Sequence, residues 1–428
     1  MIPVVYFSIL FLFIYRKKKQ FDLSCLVLLL YWLTSVFGLL NESLGLRYGA
    51  SEGYSVTLNA SIAYCFLLTI CIIPIHKYSE SYCLRLEPIG HQKLLKVLSS
   101  VGALYFVIFL FLASGSIINA LTGDMQAMRA DIYNDVSNQD WMKNLPTIIR
   151  LPCSLMNLFF GCPWILLLLA FYSYTTEELP AKYCLFFVLA SFIDPLNGIV
   201  GLDRSKMTYW IIQLVACYIV FRRHMSTKQK KNLRKYFTVV VALFVLYLMA
   251  MTIQRFSEKS VGSVSGTEAA FISYLGQPYV NFCYFYDTYS PIIPTLQKIF
   301  PFTYEYIIGT GIGSSAYNLL IYERTGVFLG VFYTFIGDII ISGGKTAAII
   351  YCLLFALISL FVMRNNKQSI WSIKRLFILM AFASVLYLGI FTHYYAASYQ
   401  ACKSCALQTL DQTFGSDGRY RPSGSADC

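Results

Sequence analysis

Apolar runs of about 15–22 residues, separated by short polar interruptions, recur along most of this 428-residue chain. About 20 apolar residues carry a helix across the hydrocarbon core of a bilayer. The runs are continuously apolar and lack the alternation that a strand facing a polar lumen needs, so the pattern predicts helices. Ten spans follow: Ile2–Tyr15, Phe21–Leu40, Val56–Ile75, Val97–Ile118, Leu151–Tyr172, Tyr183–Val200, Met207–Phe221, Tyr236–Ile253, Thr346–Met363 and Trp371–Phe391. The expected fold is all-α: a polytopic transmembrane bundle of about ten spans within residues 1–400, followed by a polar, disordered tail over 401–428.

Sidedness follows from the polar interruptions. A cleaved signal peptide carries its positive charge before the apolar core. Here Arg16, Lys17, Lys18 and Lys19 come after it, which predicts a short first helix with its N-terminus outside. That orientation places segments 16–20, 76–96, 173–182, 222–235 and 364–375 inside. Together they hold 20 of the 34 Lys and Arg in about 60 residues. The other 14 are spread over about 180 external residues, the asymmetry of the positive-inside rule. External loops are then 41–55, 119–150, 201–206 and 254–345. Gly326–Ser342 is apolar enough to cross, but counting it would place Arg364, Lys367, Lys374 and Arg375 outside. It is expected instead as a re-entrant or interfacial element of the long external loop, carrying Asp338.

Composition agrees with a lipid-dissolved chain: 57% hydrophobic and 13% charged, against roughly 25% charged for a soluble domain. The net charge of +12 reports topology and contact with anionic headgroups and gives no reason to invoke nucleic acid. The 13 Cys are scattered mostly through the spans and form no disulfide framework. A lone Cys402-x-x-Cys405 in the tail, with no second pair, reads as incidental.

Charge is nearly absent from the middle of the spans. Asp22, Lys374 and Arg375 sit at inner edges, within reach of headgroups. Asp194 is the exception, and the adjacent Pro195 suggests a broken helix near the outer surface. Ion-coupled transporters bury acids, bases or interrupted helices near the midplane, so this scarcity weighs against a pump or symporter. The external loops, in contrast, hold Arg47, Arg129, Arg150, Arg204, Arg255 and Arg324 with Lys143, Lys206, Lys259, Lys298 and Lys345. An arginine fork holds phosphate oxygens bidentately at any relevant pH, although solvated charge or lipid anchoring is the blander account. Aromatic residues from Tyr274 to Tyr306 suit either an interfacial belt or a sugar-stacking platform. No H-E-x-x-H, G-x-S-x-G, phosphate-loop glycine motif or Asp-x-Asp pair occurs, so arginines rather than a metal would neutralise a departing diphosphate.

Several stretches together resemble the oligosaccharide repeat-unit polymerases, the Wzy-type O-antigen and capsule polymerases of bacteria. MRADIYN at Met128–Asn134 is similar to the family's Arg-containing element in an earlier external loop, and GLDRSK at Gly201–Lys206 to the short Arg-Ser element that opens a helix. GTGIGSSAYN at Gly309–Asn318 resembles the Gly-rich end of the late loop, and FYTFIGDIIISGG at Phe332–Gly344 the Tyr-Thr, Asp, Gly pattern before the next helix. Some members carry Arg and Gly eleven positions apart in external loops, as Arg255 and Gly266 stand here, and Arg150 and Gly161. Members commonly continue into further helices past the position of Phe391, where this chain turns polar.

The resemblance implies a metal-independent glycosyltransferase without a cofactor in the bacterial cytoplasmic membrane. It would join undecaprenyl-diphosphate-linked oligosaccharides on the outer face. Arg129, Arg204, Arg255 and Arg324 would cradle the diphosphate, and Asp287, Glu305 or Asp338 would supply the base. Membrane lipids, a chain-length regulator and a flippase are the implied partners. An O-antigen ligase shares the late-loop plan, and a lipid-linked oligosaccharide flippase is the reading of a different class.

Overall fold

In a computed structural model of the chain, the residues described are 1–46, 54–123, 145–256, 260–261, 264–291, 299–300, 303–308, 320–324, 332–364 and 369–392. They are almost entirely helical. The helices are α1 (Ile2–Lys18), α2 (Leu23–Ser43), α3 (Leu58–Lys77), α4 (Gln92–Thr122), α5 (Thr147–Phe160), α6 (Pro163–Thr175), α7 (Ala181–Ser191), α8 (Ile193–Val200), α9 (Arg204–Phe221), α10 (Thr227–Phe256), α11 (Gly266–Thr288), α12 (Thr334–Val362) and α13 (Ile373–Tyr387). Among the described residues sheet structure is limited to two two-residue pairings, β1 (Arg85–Leu86) with β4 (Ile370–Trp371), parallel, and β2 (Ser260–Val261) with β3 (Val264–Ser265), antiparallel. Among the described residues five helical stretches are long and apolar enough to cross a membrane: α2, α3, α4, α7 continued by α8, and α12. Helices α6 and α9 are apolar but shorter.

Two expected spans are broken. Leu151–Tyr172 divides at Gly161–Cys162, because Pro163 offers no N–H to the preceding turn and disfavours helical backbone at Cys162. Tyr183–Val200 divides at Phe192, where Pro195 removes the bond that would run back to Ser191. A third break, at Gly344 (φ 80°), splits α12 into a buried arm, 334–343, and a lipid-like arm, 345–362. It falls at the division expected between Gly326–Ser342 and Thr346–Met363. The second arm exposes Leu353, Leu354, Leu357, Ile358 and Phe361 along one face, a surface that apolar solvent alone would satisfy.

Packing forms two apolar cores. The larger gathers α1–α3, α6, α9 and α11–α13, and the smaller gathers α4, α5, α7 and α8. The 254–345 stretch expected as an external loop contains α11, a 23-residue helix seated on α2 and α3. Gly276 and Gly38 permit the close approach, since a Cβ on Gly276 would stand 2.5 Å from Phe37 O. Tyr279, Phe285 and Tyr289, counted as belt or sugar platform, are interior packing residues; the Tyr279 hydroxyl hydrogen-bonds Ser61 Oγ at 2.9 Å.

All five basic segments meet on one face. Lys18 donates to His76 O (2.8 Å) and Ser79 Oγ (2.6 Å), and Arg223 to Ser81 O. Leu84, Arg85 and Glu87 bond the backbone of Ser369 and Trp371, and the Gly90 amide donates to Glu178. Gln229 closes the ring by donating to Tyr174 O. One expectation fails here. Asp22, predicted to reach headgroups, is 1% exposed and lies beneath Lys18 Nζ at 2.5 Å, because it caps α2 by accepting Cys25 N–H and also accepts Ser24 Oγ–H. Burial pushes the Asp22 carboxyl up, but Lys18 and these hydrogen bonds outweigh it, so its pKa lies below the ordinary value.

Candidate functional site

The face opposite the basic segments is built around the turn from α8 to α9. Asp203 caps α9, accepting from Ser205 N (2.8 Å) and Ser205 Oγ (2.6 Å), and its own amide reaches back to Gly198 O at 2.7 Å. Gly198 is required by that approach: a Cβ there would meet Asp203 O at 2.7 Å and Lys206 Cβ at 2.9 Å. Leu202 takes the left-handed region at φ 52°, a strained position for a γ-branched residue. This tight turn presents Arg204, Ser205 and Lys206 in the first turn of α9, where the helix dipole and open amides favour anions. Lys206 pairs with Asp194 of α8 at 3.5 Å, the two side chains 28% and 21% exposed.

A second strained start brings in Asp338. Thr334 has φ 67°, held because the Tyr333 and Thr334 amides both donate to Phe391 O at 3.0 Å and Phe335 N to Gly389 O at 2.8 Å. Thr334 Oγ1 then accepts Gly337 N–H, opening the buried arm of α12, and Asp338, one turn on, is 2% exposed. Tyr209 of α9 packs against the same segment: its ring meets Phe391 edge-on at 6.0 Å, and its hydroxyl lies 3.4 Å from Thr392 Oγ1.

The other candidates are dispersed. Asp287, near the end of α11, accepts from Tyr54 OH (2.8 Å) and Thr57 Oγ1 (2.7 Å), both on Oδ2, at the start of α3. Burial raises the Tyr54 pKa well above its ordinary range, with Cys283 and Asp287 adding to it, so the phenol remains a donor. Arg255 belongs to the last turn of α10, Glu305 to a π-helical turn at Thr303–Ile308, and Arg324 is exposed at the end of the helical turn 320–324. The side chains of Arg204, Arg255 and Glu305 lie outside what is described, as do Arg129 altogether, MRADIYN, GTGIGSSAYN and the Cys402–Cys405 pair. Among the described residues no group of three or more His, Cys, Asp or Glu could hold a metal ion.

Sequence reasoning had Arg204 and Asp338 as separate candidates and missed Tyr209, Thr334 and the capping role of Asp203. The D-R-S spacing of an N-cap was the available signal for the last. No family model matches this chain, and no curated protein or solved structure gives a significant match.

Proposed function

We propose that this chain is an oligosaccharide repeat-unit polymerase of the bacterial cytoplasmic membrane, crossing it about ten times with the Arg204 face outward. The observation that carries the reading is the convergence of two elements named for their resemblance to that family. GLDRSK opens α9 and FYTFIGD opens the broken α12, each from a strained residue, and both elements meet the Phe391–Thr392 segment, α12 through the Tyr333 and Thr334 amides and α9 through Tyr209. The charge asymmetry supports the sidedness, because the five basic segments share the other face.

In this mechanism a sugar hydroxyl of one unit attacks the anomeric carbon of the growing chain. The new glycosidic C–O bond forms as the anomeric C–O bond to undecaprenyl diphosphate breaks, its electron pair leaving on the phosphate oxygen. The hydroxyl proton passes to a carboxylate. Arg204, in the first turn of α9, is the diphosphate contact, with Arg129, Arg255 and Arg324 as further cradle residues. Asp338 is favoured as base over Asp287 and Glu305 because it lies one turn into the arm of α12 whose start meets α9 through Phe391 and Thr392, whereas Asp287 already holds two hydroxyls on one oxygen.

The test is a surface-polysaccharide ladder from cells carrying Arg204→Ala, with the protein verified in the membrane. A single capped repeat unit is expected, and normal chain lengths would remove Arg204 from the mechanism. In the deletion strain, finished polymer held on the carrier lipid would favour the ligase, and unflipped units trapped inside would favour the flippase. Accessibility labelling that finds 255–324 facing the cytosol would exclude all outer-face chemistry.

A further inference from the structure

The far end of α9 holds a pair of groups that the proposed chemistry leaves unused. Glu80, in the turn after α3, is 2% exposed. Its Oε1 accepts the Leu23 amide at 2.9 Å, whereas Oε2 is buried without a hydrogen-bond partner. Arg223 enters from the turn after α9. Its Nη1 makes a long bond to Ser81 O, at 3.4 Å, and its Nη2 is likewise buried without a partner. Of the charges acting on Arg223, that of Glu80 is the largest, yet no ion pair joins them in this arrangement. The remaining charged or titratable groups gathered there are Lys17 and Lys18 of α1, Asp22 at the head of α2, His76 of α3, Cys83 before β1, Arg222 and His224, and burial with the Arg223 charge holds the His224 pKa below its ordinary value. Lys18 is committed to Asp22, His76 O and Ser79, and Arg222 to Phe21 O at 2.7 Å. Arg223 is therefore the cation left for Glu80.

We propose that Glu80 is a proton-dependent latch between the turn after α3 and the turn from α9 to α10. Protonated, it rests on the Leu23 amide as described. Ionised, its second oxygen draws the Arg223 guanidinium into an ion pair and pulls the two turns together. Burial, with the Asp22 charge adding to it, raises the Glu80 pKa to about 7, so the latch works across neutral pH. It reads the proton concentration on the face that the basic segments define, and it stands independently of the polymerase reading.

Pulsed electron spin resonance on the full-length protein in nanodiscs tests this. Labels go at the exposed Tyr82 and Ser226, in a background with reactive cysteines replaced. The distance is expected to shorten from pH 5 to pH 8 in the parent, and to stay at its pH 5 value in Glu80→Gln and in Arg223→Gln. No shortening in the parent, or shortening that survives Glu80→Gln, overturns the latch. Thermal unfolding gives a second readout. A carboxyl whose folded pKa is raised stabilises the fold when protonated, and that stability is lost as pH rises through about 7. Relative to the parent, Glu80→Gln should therefore flatten the fall in Tm between pH 5 and pH 8. Arg223→Gln, which removes the compensating pair, should steepen it, and equal slopes in all three proteins would also overturn the proposal.

Discussion

Helix α9 joins two charged ends, about 27 Å apart for 18 residues, that are built on opposite principles. At the Lys18 end, Nζ makes three bonds of 2.5–2.8 Å, and Asp22 accepts from Lys18, Ser24 and Cys25 while 1% exposed. At the Arg204 end, Lys206 and Asp194 stand 3.5 Å apart and are more than a fifth exposed. A buried ion pair offsets its desolvation only when the surrounding hydrogen bonds are complete, so the Lys18 knot is a structural fastening. A longer pair that keeps more than a fifth of each side chain exposed can trade partners with an arriving anion. Density of bonding thus separates charge that holds the fold from charge that is available to a ligand, although both ends looked alike as basic residues near a helix terminus.

The sharpest way to break that contrast is Lys18→Met. It leaves Asp22 buried beside Glu80 without its cation, and the expected loss is about 3–5 kcal/mol of stability. Thermal unfolding in detergent, monitored by size-exclusion chromatography, measures it. A variant with unchanged Tm would mean that the knot is ornamental and that the two ends do not differ in kind.

A smaller effect is expected from Gly198→Ala at the other end. The Lys206–Asp194 pair there is long, but the backbone is tightly placed: the added Cβ would meet Asp203 O at 2.7 Å, and a carbonyl on a capped turn cannot withdraw as a flexible side chain can. We expect about 1–3 kcal/mol of destabilisation, together with loss of polymer because Arg204 moves with the turn. Gly115→Ala is the matched control, since nothing lies within 4 Å of its Cβ and alanine is the better helix former.

Much of this arrangement was legible in the sequence. Apolar runs found the helices, the positive-inside count grouped the five segments that now share a face, and Asp194-Pro195 announced the break in the sixth run. Parity placed a division where Gly344 interrupts α12. What escaped was long-range. Asp22 looked like an edge charge although Lys18 lies only four residues away, because its burial comes with the Ser79–Glu80 turn, which α3 brings against Lys18 and Leu23. Helix α11 was hidden because its Ser, Gly, Gln, Asn and Tyr residues dilute hydropathy, while the same small and hydrogen-bonding residues suit it to a close crossing over Gly38. Pairwise meetings such as that of Tyr209 with Phe391 depend on how α9 docks beside the segment after α13, which no local pattern encodes.

The finest test of the comparison is Lys206→Met, where stability and function should part. The pair with Asp194 is long and partly solvated, so its loss should cost under about 1 kcal/mol and shift Tm little. If the open end serves an anion, the same substitution removes a positive charge from the first turn of α9, and polymer should shorten or fall in amount while membrane levels hold. Asp194→Asn separates the two contributions: it also breaks the pair, but it leaves the cation in place and less neutralised, so polymer should persist. Equal losses from both variants would mean that the pair itself matters, as a fastening. The Arg204 end would then be a weaker copy of the Lys18 end and no place for a substrate.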